Sequence, residues 1–189
     1  MIRIALVGDI GSGKSYMAKL FNYPIFNADL EVAKIYKTNK TCFKKLKKEL
    51  PKYFSSLPIQ KKEIIKAIID KEINLKKITN IIHPEIRKRI NIFLKNNKKE
   101  KAVILDIPLL LENKLNQNGD VIIFIQSKKL EILKRLRKRT NFDLDLLNKF
   151  KKLQLPLSYK KKKSQFIIKN NFTNESANKS VKKILKYIL

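Results

Sequence analysis

The sequence predicts an α/β protein built on a doubly wound parallel sheet of about five strands. Short apolar runs recur along the 189-residue chain, and stretches with helical periodicity separate them. The runs are continuous rather than alternating, which is typical of strands that are buried on both faces. Strands that alternate with helices favour a parallel sheet with helices on both sides.

Five segments are the predicted strands of this sheet. They are residues 4–7, 24–27, 102–105, 121–125 and 166–168. Between the last two strands, we expect a helix over 128–138 that is capped by Ser127 and turns Leu130, Leu133 and Leu136 inward. The last helix is expected over 176–189.

A long stretch between the second and third strands, residues 30–97, has helical rather than strand periodicity. Apolar residues recur there at positions 78, 82, 86, 90 and 93, and Pro84 is expected to begin or kink a helix. We therefore predict a single domain with a core of residues 1–29, 98–138 and 164–189. The helical insertion covers 30–97, and a small lid with one helix covers 139–163.

The first strand leads directly into Gly8-Asp9-Ile10-Gly11-Ser12-Gly13-Lys14-Ser15. This segment fits the phosphate-binding loop (P-loop) pattern G-x-x-x-x-G-K-[ST], and it stands where that loop must stand, between a strand and a helix. Its amides and the helix N-terminus can hold phosphate oxygens. Lys14 can then reach the β and γ phosphates, and Ser15 can offer its hydroxyl to Mg²⁺. The predicted class is thus the three-layer fold of P-loop NTPases.

Two carboxylates follow other predicted strands, and ligands of an open parallel sheet gather at those carboxyl ends. Asp29 follows the second strand, where it can orient an acceptor hydroxyl and accept its proton, or cap the helix that follows. Asp106 follows the third strand, either with a direct role at the γ-phosphate or its metal, or as a strand-end cap or a residue that supports the metal through its ligands. Both alternatives stay open for each residue.

The net charge of +28 admits a nucleic-acid partner, but the lysines are spread over the whole chain rather than gathered in one stripe. We interpret them mainly as solvated surface residues, and we expect no nucleic-acid partner. No apolar run is long enough for a membrane span, so we expect a cytoplasmic protein that does not bind membranes. The single cysteine, Cys42, gives no support to a disulfide or a zinc site.

Several motifs together resemble dephospho-CoA kinases, in the right order over essentially the whole chain. They are the P-loop, Asn27-Ala28-Asp29, His83-Pro84-Glu85-Ile86-Arg87, Asp106-Ile107-Pro108-Leu109-Leu110-Leu111-Glu112, the basic run 134–139, Gln154-Leu155-Pro156-Leu157 and Ile168-Lys169-Asn170. The resemblance implies transfer of the ATP γ-phosphate to the ribose 3′-hydroxyl of dephospho-CoA, with Mg²⁺. This is the last step of coenzyme A synthesis.

The resemblance also implies roles for individual residues. Asp29 and Lys14 are the implied catalytic residues, and Ser15, with Asp106 as a further candidate, is implied at the metal. The implied ATP-binding residues are Gly11, Ser12, Gly13, Lys14, Ser15, Tyr16 and Arg139. The implied acceptor-binding residues are His83, Arg87, Pro108, Leu109 and Glu112. The segment around Gln154 belongs to the mobile lid.

The chain departs from the family pattern at four positions. Asn27 stands where an aspartate is usual, Asp9 where a glycine is common, Tyr16 where a threonine is usual and Lys169 where an aspartate is usual. The second aspartate of the D-A-D motif is retained as Asp29.

The sequence also leaves other interpretations open. Without the resemblance, His83 could simply cap a helix, and residues 160–163, four lysines in a row, are either a solvated face or lid cations for ATP. The protein could also be a kinase of another nucleotide or nucleoside, or a basic nucleic-acid-binding ATPase. We expect a monomer or a small homo-oligomer.

Overall fold

The computed structural model describes residues 1–138 and 143–189, without the side chain of residue 146. It divides into two compact units. The first comprises residues 1–27 and 96–189, and the second comprises residues 28–95.

The first unit is built on one five-stranded sheet. Its strands are β1 (Ile2–Gly8), β2 (Ile25–Asn27), β3 (Ala102–Asp106), β4 (Val121–Ser127) and β5 (Phe166–Asn170). All described pairings are parallel, and the strand order is β2-β3-β1-β4-β5. The predicted parallel sheet of about five strands is therefore confirmed. Because β1 lies in the middle, the loop that follows it stands between the carboxyl ends of β3 and β4.

The strands form because their apolar residues are buried on both faces of the sheet. Ile4, Leu6, Ile104 and Ile123 pack on one face against α1 (Lys14–Leu20) and α9 (Asn174–Ile188). The intervening residues, among them Ala5 and Leu105, are buried as well. Each buried aliphatic side chain contributes about 1.5–3 kcal/mol, and this double burial explains the continuous apolar runs.

Three further helices complete the first unit: α6 (Lys129–Arg137), α7 (Leu144–Lys152) and α8 (Leu157–Lys162). The predicted cap of α6 is wrong, because Lys128 occupies the N-cap position and Ser127 ends β4. Leu136 is buried as predicted, but Leu130 is 73% exposed, and Ile132, which was not predicted, is buried beside Leu136. Of the stretch expected to hold one helix, the part that the structure describes, from residue 143 onward, contains two, α7 and α8, separated by the segment that carries Pro156.

The second unit consists of helices α2 (Ala28–Thr38), α3 (Lys40–Glu49), α4 (Lys61–Asp70) and α5 (Glu72–Asn96). One face of α5 is buried at Ile78, Ile82, Ile86 and Ile90, as the helical periodicity predicted. Pro84 lies inside α5, so the expectation that it begins a helix is wrong.

Within the ranges 1–138 and 143–189, no helix combines the length and the apolar character needed to cross a bilayer.

Candidate active site

The P-loop joins β1 to α1 in a conformation that depends on its glycines. Gly13 is the N-cap of α1 and takes φ 94° and ψ 18°, which is left-handed. A Cβ at Gly13 would lie 2.5 Å from Asn170 Nδ2, and a Cβ at Gly8 would lie 2.6 Å from the Ile125 carbonyl oxygen. Larger residues are therefore excluded at both positions by backbone conformation and by space.

Lys14 is the first residue of α1, and its ammonium group folds back over the loop. Nζ donates hydrogen bonds to the carbonyl oxygens of Asp9 at 2.8 Å and Gly8 at 3.3 Å. The loop thus curls around the ammonium group, at the place where a P-loop holds anionic phosphate oxygens.

The neighbouring residues differ in what they can offer a ligand. Ser12 is fully buried, so it can contribute through its backbone, whereas Ser15 is exposed and its hydroxyl is accessible. The hydroxyl of Tyr16 donates to Asn174 Oδ1 at 2.7 Å and so connects α1 to the start of α9. The tyrosine that stands at position 16, where the family pattern has a threonine, therefore makes a hydrogen bond between two helices.

Asp9 keeps the loop in shape despite its departure from glycine. Its Oδ1 accepts the backbone N–H of Ile10 at 2.7 Å, and its backbone does not take a positive φ. No glycine is required at this position, and the Asp9 carboxylate accepts a hydrogen bond from the next residue of the loop.

Asn27 and Asp106 face each other at the carboxyl ends of β2 and β3, where they are partners in the register. Asn27 Nδ2 donates to Asp106 Oδ2 at 2.8 Å, and Asp106 is only 3% exposed. The amide supplies a donor to a buried carboxylate, where an aspartate would place a second negative charge. This contact explains how the chain accommodates asparagine at position 27.

Ser127 and Asn170 form a second pair of register partners, at the ends of β4 and β5. Ser127 Oγ donates to the Ser12 carbonyl oxygen at 3.0 Å, and Asn170 Nδ2 donates to the same oxygen at 2.8 Å. Sequence reasoning missed both contacts and assigned Ser127 to a helix cap. Its position at the end of an apolar run was the one signal that pointed to the site.

The segment after β3 lies beside the P-loop and is strained. Leu109 takes φ 59°, which is unusual for a residue with a bulky side chain. A small pocket there is lined by Gly8 and Lys14 of the loop and by Pro108, Leu109 and Glu112. Strain of this kind persists where surrounding structure enforces it, which is common at functional sites.

A buried ion pair closes the same pocket from α8. Lys160 Nζ lies 2.7 Å from Glu112 Oε1 and donates to Gln154 Oε1 at 3.0 Å. The same Glu112 oxygen accepts the backbone N–H of Leu155 at 3.0 Å. The four lysines at 160–163 thus divide: Lys160 is 3% exposed, and the next three are exposed.

The remaining predicted residues belong to the second unit. Asp29 is exposed and lies in the first turn of α2, which begins at Ala28, so it is not the N-cap of that helix. His83 and Arg87 are four residues apart on α5 and therefore share a face. Half-burial lowers the pKa of His83, and the nearby charge of Arg87 lowers it further. Arg139 lies outside the described residues.

Among residues 1–138 and 143–189, no three or more His, Cys, Asp or Glu side chains cluster to hold a metal ion. Mg²⁺ in kinases is usually held by one or two protein oxygens together with substrate phosphates and water. The accessible hydroxyl of Ser15 and the carboxylate of Asp106 are oxygen donors of the type that Mg²⁺ prefers, so the residues present fit such an ion.

A family model described as dephospho-CoA kinase matches residues 2–176 of the chain. The chain belongs to the dephospho-CoA kinase family. The match starts in β1 and ends in α9, so it includes the P-loop, the helical unit and the segment after β3.

Individual proteins of known name or structure are similar to this chain as well. A protein named dephospho-CoA kinase from Wolbachia sp. subsp. Brugia malayi is 32% identical over 187 residues, covering 96% of this chain and 95% of that protein. The crystal structure of TT1252 from Thermus thermophilus has a TM-score of 0.78 and 23% identity, covering 100% of this chain and 98% of that one. The dephospho-CoA kinase from Campylobacter jejuni has a TM-score of 0.64 and 23% identity, covering 98% and 96%. At this identity the two structures show a shared fold.

Proposed function

We infer that this protein transfers the γ-phosphoryl group of ATP to the 3′-hydroxyl of the ribose of dephospho-CoA, giving coenzyme A and ADP. The observation that carries this conclusion is the family match over residues 2–176. The P-loop, in which the Lys14 ammonium group hydrogen-bonds to the loop's own carbonyl oxygens, supports the binding of the ATP phosphates.

The phosphate end of ATP is assigned to the P-loop. Backbone amides of Gly11, Ser12 and Gly13 and the N-terminus of α1 stabilise phosphate oxygens. On binding, Lys14 exchanges its contacts with the Gly8 and Asp9 carbonyls for phosphate oxygens and meets the charge that develops during transfer. Tyr16 and Arg139 are assigned to the rest of the nucleotide by the resemblance.

Mg²⁺ would be held by Ser15, with Asp106 as the neighbouring carboxylate. When bound, the ion would neutralise part of the negative charge of the ATP phosphates.

Asp29 is the proposed general base. It is separated by one residue from Asn27, which ends β2 beside Asp106, so chain connectivity keeps its Cα within about 7.6 Å of the Cα of Asn27. Its exposed carboxylate lies in the first turn of α2 and is a group of the type that can accept a proton from the acceptor hydroxyl.

Acceptor binding is assigned to His83 and Arg87 on α5 and to Pro108, Leu109 and Glu112 after β3. Arg87 supplies a cation for the phosphates of dephospho-CoA, and neutral His83 supplies a hydrogen-bonding ring. Leu109, which is held at positive φ, presents an apolar surface. Residues 139–163, with Gln154, form the proposed lid.

An acceptor comparison tests this function. Purified protein with ATP and Mg²⁺ is assayed for ADP release with dephospho-CoA, AMP, CMP or dTMP, and the product is checked for a 3′-phosphate. We expect turnover with dephospho-CoA to exceed that with any other acceptor by at least about tenfold, which corresponds to about 1.4 kcal/mol of transition-state binding. Greater turnover with AMP, CMP or dTMP would show that the acceptor is another nucleotide.

A further inference from the structure

One peptide group of the P-loop is held by two donors from outside the loop. The Ser12 carbonyl oxygen accepts Asn170 Nδ2 at 2.8 Å and Ser127 Oγ at 3.0 Å. Ser127 and Asn170 are the last register partners of β4 and β5, so the sheet itself fixes their spacing. The donors therefore form a rigid clamp on one side of the loop.

The orientation of Asn170 is fixed at both ends of its amide. Oδ1 accepts the backbone N–H of Phe172 at 2.9 Å, which leaves Nδ2 to face Ser12. Asn170 is 5% exposed, so loss of its partner would leave a buried polar group unsatisfied. Its amide lies 2.5 Å from where a Cβ on Gly13 would stand, which places it directly against the loop.

Holding this carbonyl has a consequence for the amide on the same peptide. The Ser12–Gly13 peptide is planar, and in a trans peptide the C=O and N–H bonds point in opposite directions. With the Ser12 oxygen turned toward Ser127 and Asn170, the Gly13 N–H points away from those strand ends. Gly13 is the left-handed N-cap of α1 and belongs to the P-loop, whose backbone N–H groups hold phosphate oxygens.

We propose that Ser127 and Asn170 are positioning residues that preorganise the Gly13 amide for the phosphates of ATP. They touch no reacting atom and act through the Ser12–Gly13 peptide, whose rotation would otherwise have to be restricted when the nucleotide binds. Preorganised donors bind more tightly because that ordering is complete before the ligand arrives. The proposal rests on the ATP-binding part of the proposed function, and it does not depend on which acceptor is used.

Calorimetric binding of ATP and of inorganic tripolyphosphate tests the clamp. Ser127→Ala removes one donor, and Ser127→Thr keeps the hydroxyl as the matched control. We expect Ser127→Ala to weaken both ligands by the same factor of about three to ten, the value of one hydrogen bond. Ser127→Thr should stay within about twofold of wild type.

Asn170→Ala should weaken both ligands at least as much as Ser127→Ala. The loss in the double variant should differ from the product of the single losses, because both donors serve one oxygen and are therefore coupled.

Several results would overturn the proposal. One is wild-type affinity for tripolyphosphate in Ser127→Ala, even if its melting temperature falls, because the hydrogen bond from Ser127 would then be structural only and the two-donor clamp would fail. Another is a loss of ATP affinity without a loss of tripolyphosphate affinity, since that pattern indicates contact with the nucleoside. A wild-type protein that binds ATP but no tripolyphosphate would also contradict it. If Asn170→Ala fails to fold, the two Ser127 variants still decide the question. Failure to phosphorylate dephospho-CoA would refute the proposed acceptor and leave this binding comparison intact.

Discussion

Asn27 and Asp106 end neighbouring parallel strands and are joined by a hydrogen bond of 2.8 Å from Asn27 Nδ2 to Asp106 Oδ2. The carboxylate is almost completely buried, so this donor offsets part of the cost of removing it from water.

Asn27→Ala should lower the free energy of unfolding by about 1.5–3 kcal/mol, because a buried charged acceptor loses a donor. Chemical denaturation at neutral pH measures the change. Asn27→Asp should be destabilised as well, by repulsion between adjacent carboxylates, and its deficit should shrink as the pH is lowered. An alanine variant as stable as wild type would show that the contact contributes nothing.

Lys14→Ala should lower kcat by at least about 10²-fold, because the cation that meets the developing charge is lost. The melting temperature should change little, since Lys14 is only partly buried and a hydrogen bond such as those from Nζ to the Gly8 and Asp9 carbonyl oxygens contributes a net of about 1 kcal/mol. Steady-state kinetics and thermal unfolding of the same preparation check both statements. Retention of wild-type kcat would refute the role of the loop lysine.

Asp29→Asn should lower kcat by about 10²–10⁴-fold with little change in the KM for ATP, which is the usual effect of removing a general base. Glu72→Gln is a matched control, because Glu72 is also an exposed carboxylate in the first turn of a helix of the second unit. That variant should keep wild-type kcat. A raised KM for ATP with kcat preserved in Asp29→Asn would assign Asp29 to metal or nucleotide binding.

Lys160→Met should lower the free energy of unfolding by about 3–5 kcal/mol, because it leaves Glu112 buried without its cation. Adding Glu112→Gln should recover much of that loss, since no unpaired charge then remains. Lys161→Met is the control, and this exposed position should change stability by less than about 0.5 kcal/mol. Equal effects at positions 160 and 161 would contradict the buried pair.

The single histidine allows a direct pH test. Half-burial and the charge of Arg87 place the pKa of His83 below its usual 6.5 in the folded protein. Below pH 6.5 the unfolded chain binds the proton more readily, so His83 lowers stability as the pH falls through this value and has no such effect above it. The proton NMR signals of the ring give the pKa directly.

Arg87→Ala should raise the pKa of His83 toward 6.5 without reaching it, since burial is the larger cause. The difference in unfolding free energy between wild type and His83→Asn should change between about pH 7.5 and about pH 5. A histidine that titrates above 6.5 in the folded protein would refute this account.

Features that depend on local sequence were predictable. The apolar runs located all five strands to within a few residues, because burial on both faces requires a continuous apolar segment. The glycine spacing located the P-loop, because positive φ and close approach leave few other residues possible. Local periodicity gave the wrong result in two places. In α6 it predicted that Leu130 is buried, and in the segment after α6 it predicted one helix where the structure has α7 and α8. A helix of two or three turns has too few apolar residues to define its buried face or its ends from the sequence.

The sequence by itself determined the parallel sheet, the phosphate loop and the family, since each is recognised from short motifs or apolar runs that can be read along the chain. Only the tertiary structure decided that Ser127 and Asn170 share one carbonyl of that loop, that Asn27 serves Asp106, and that Lys160 is buried against Glu112 while its neighbours are exposed. These contacts depend on which strands and helices are neighbours. The order β2-β3-β1-β4-β5 brings together residues 79 to 158 positions apart, and no local pattern records that separation.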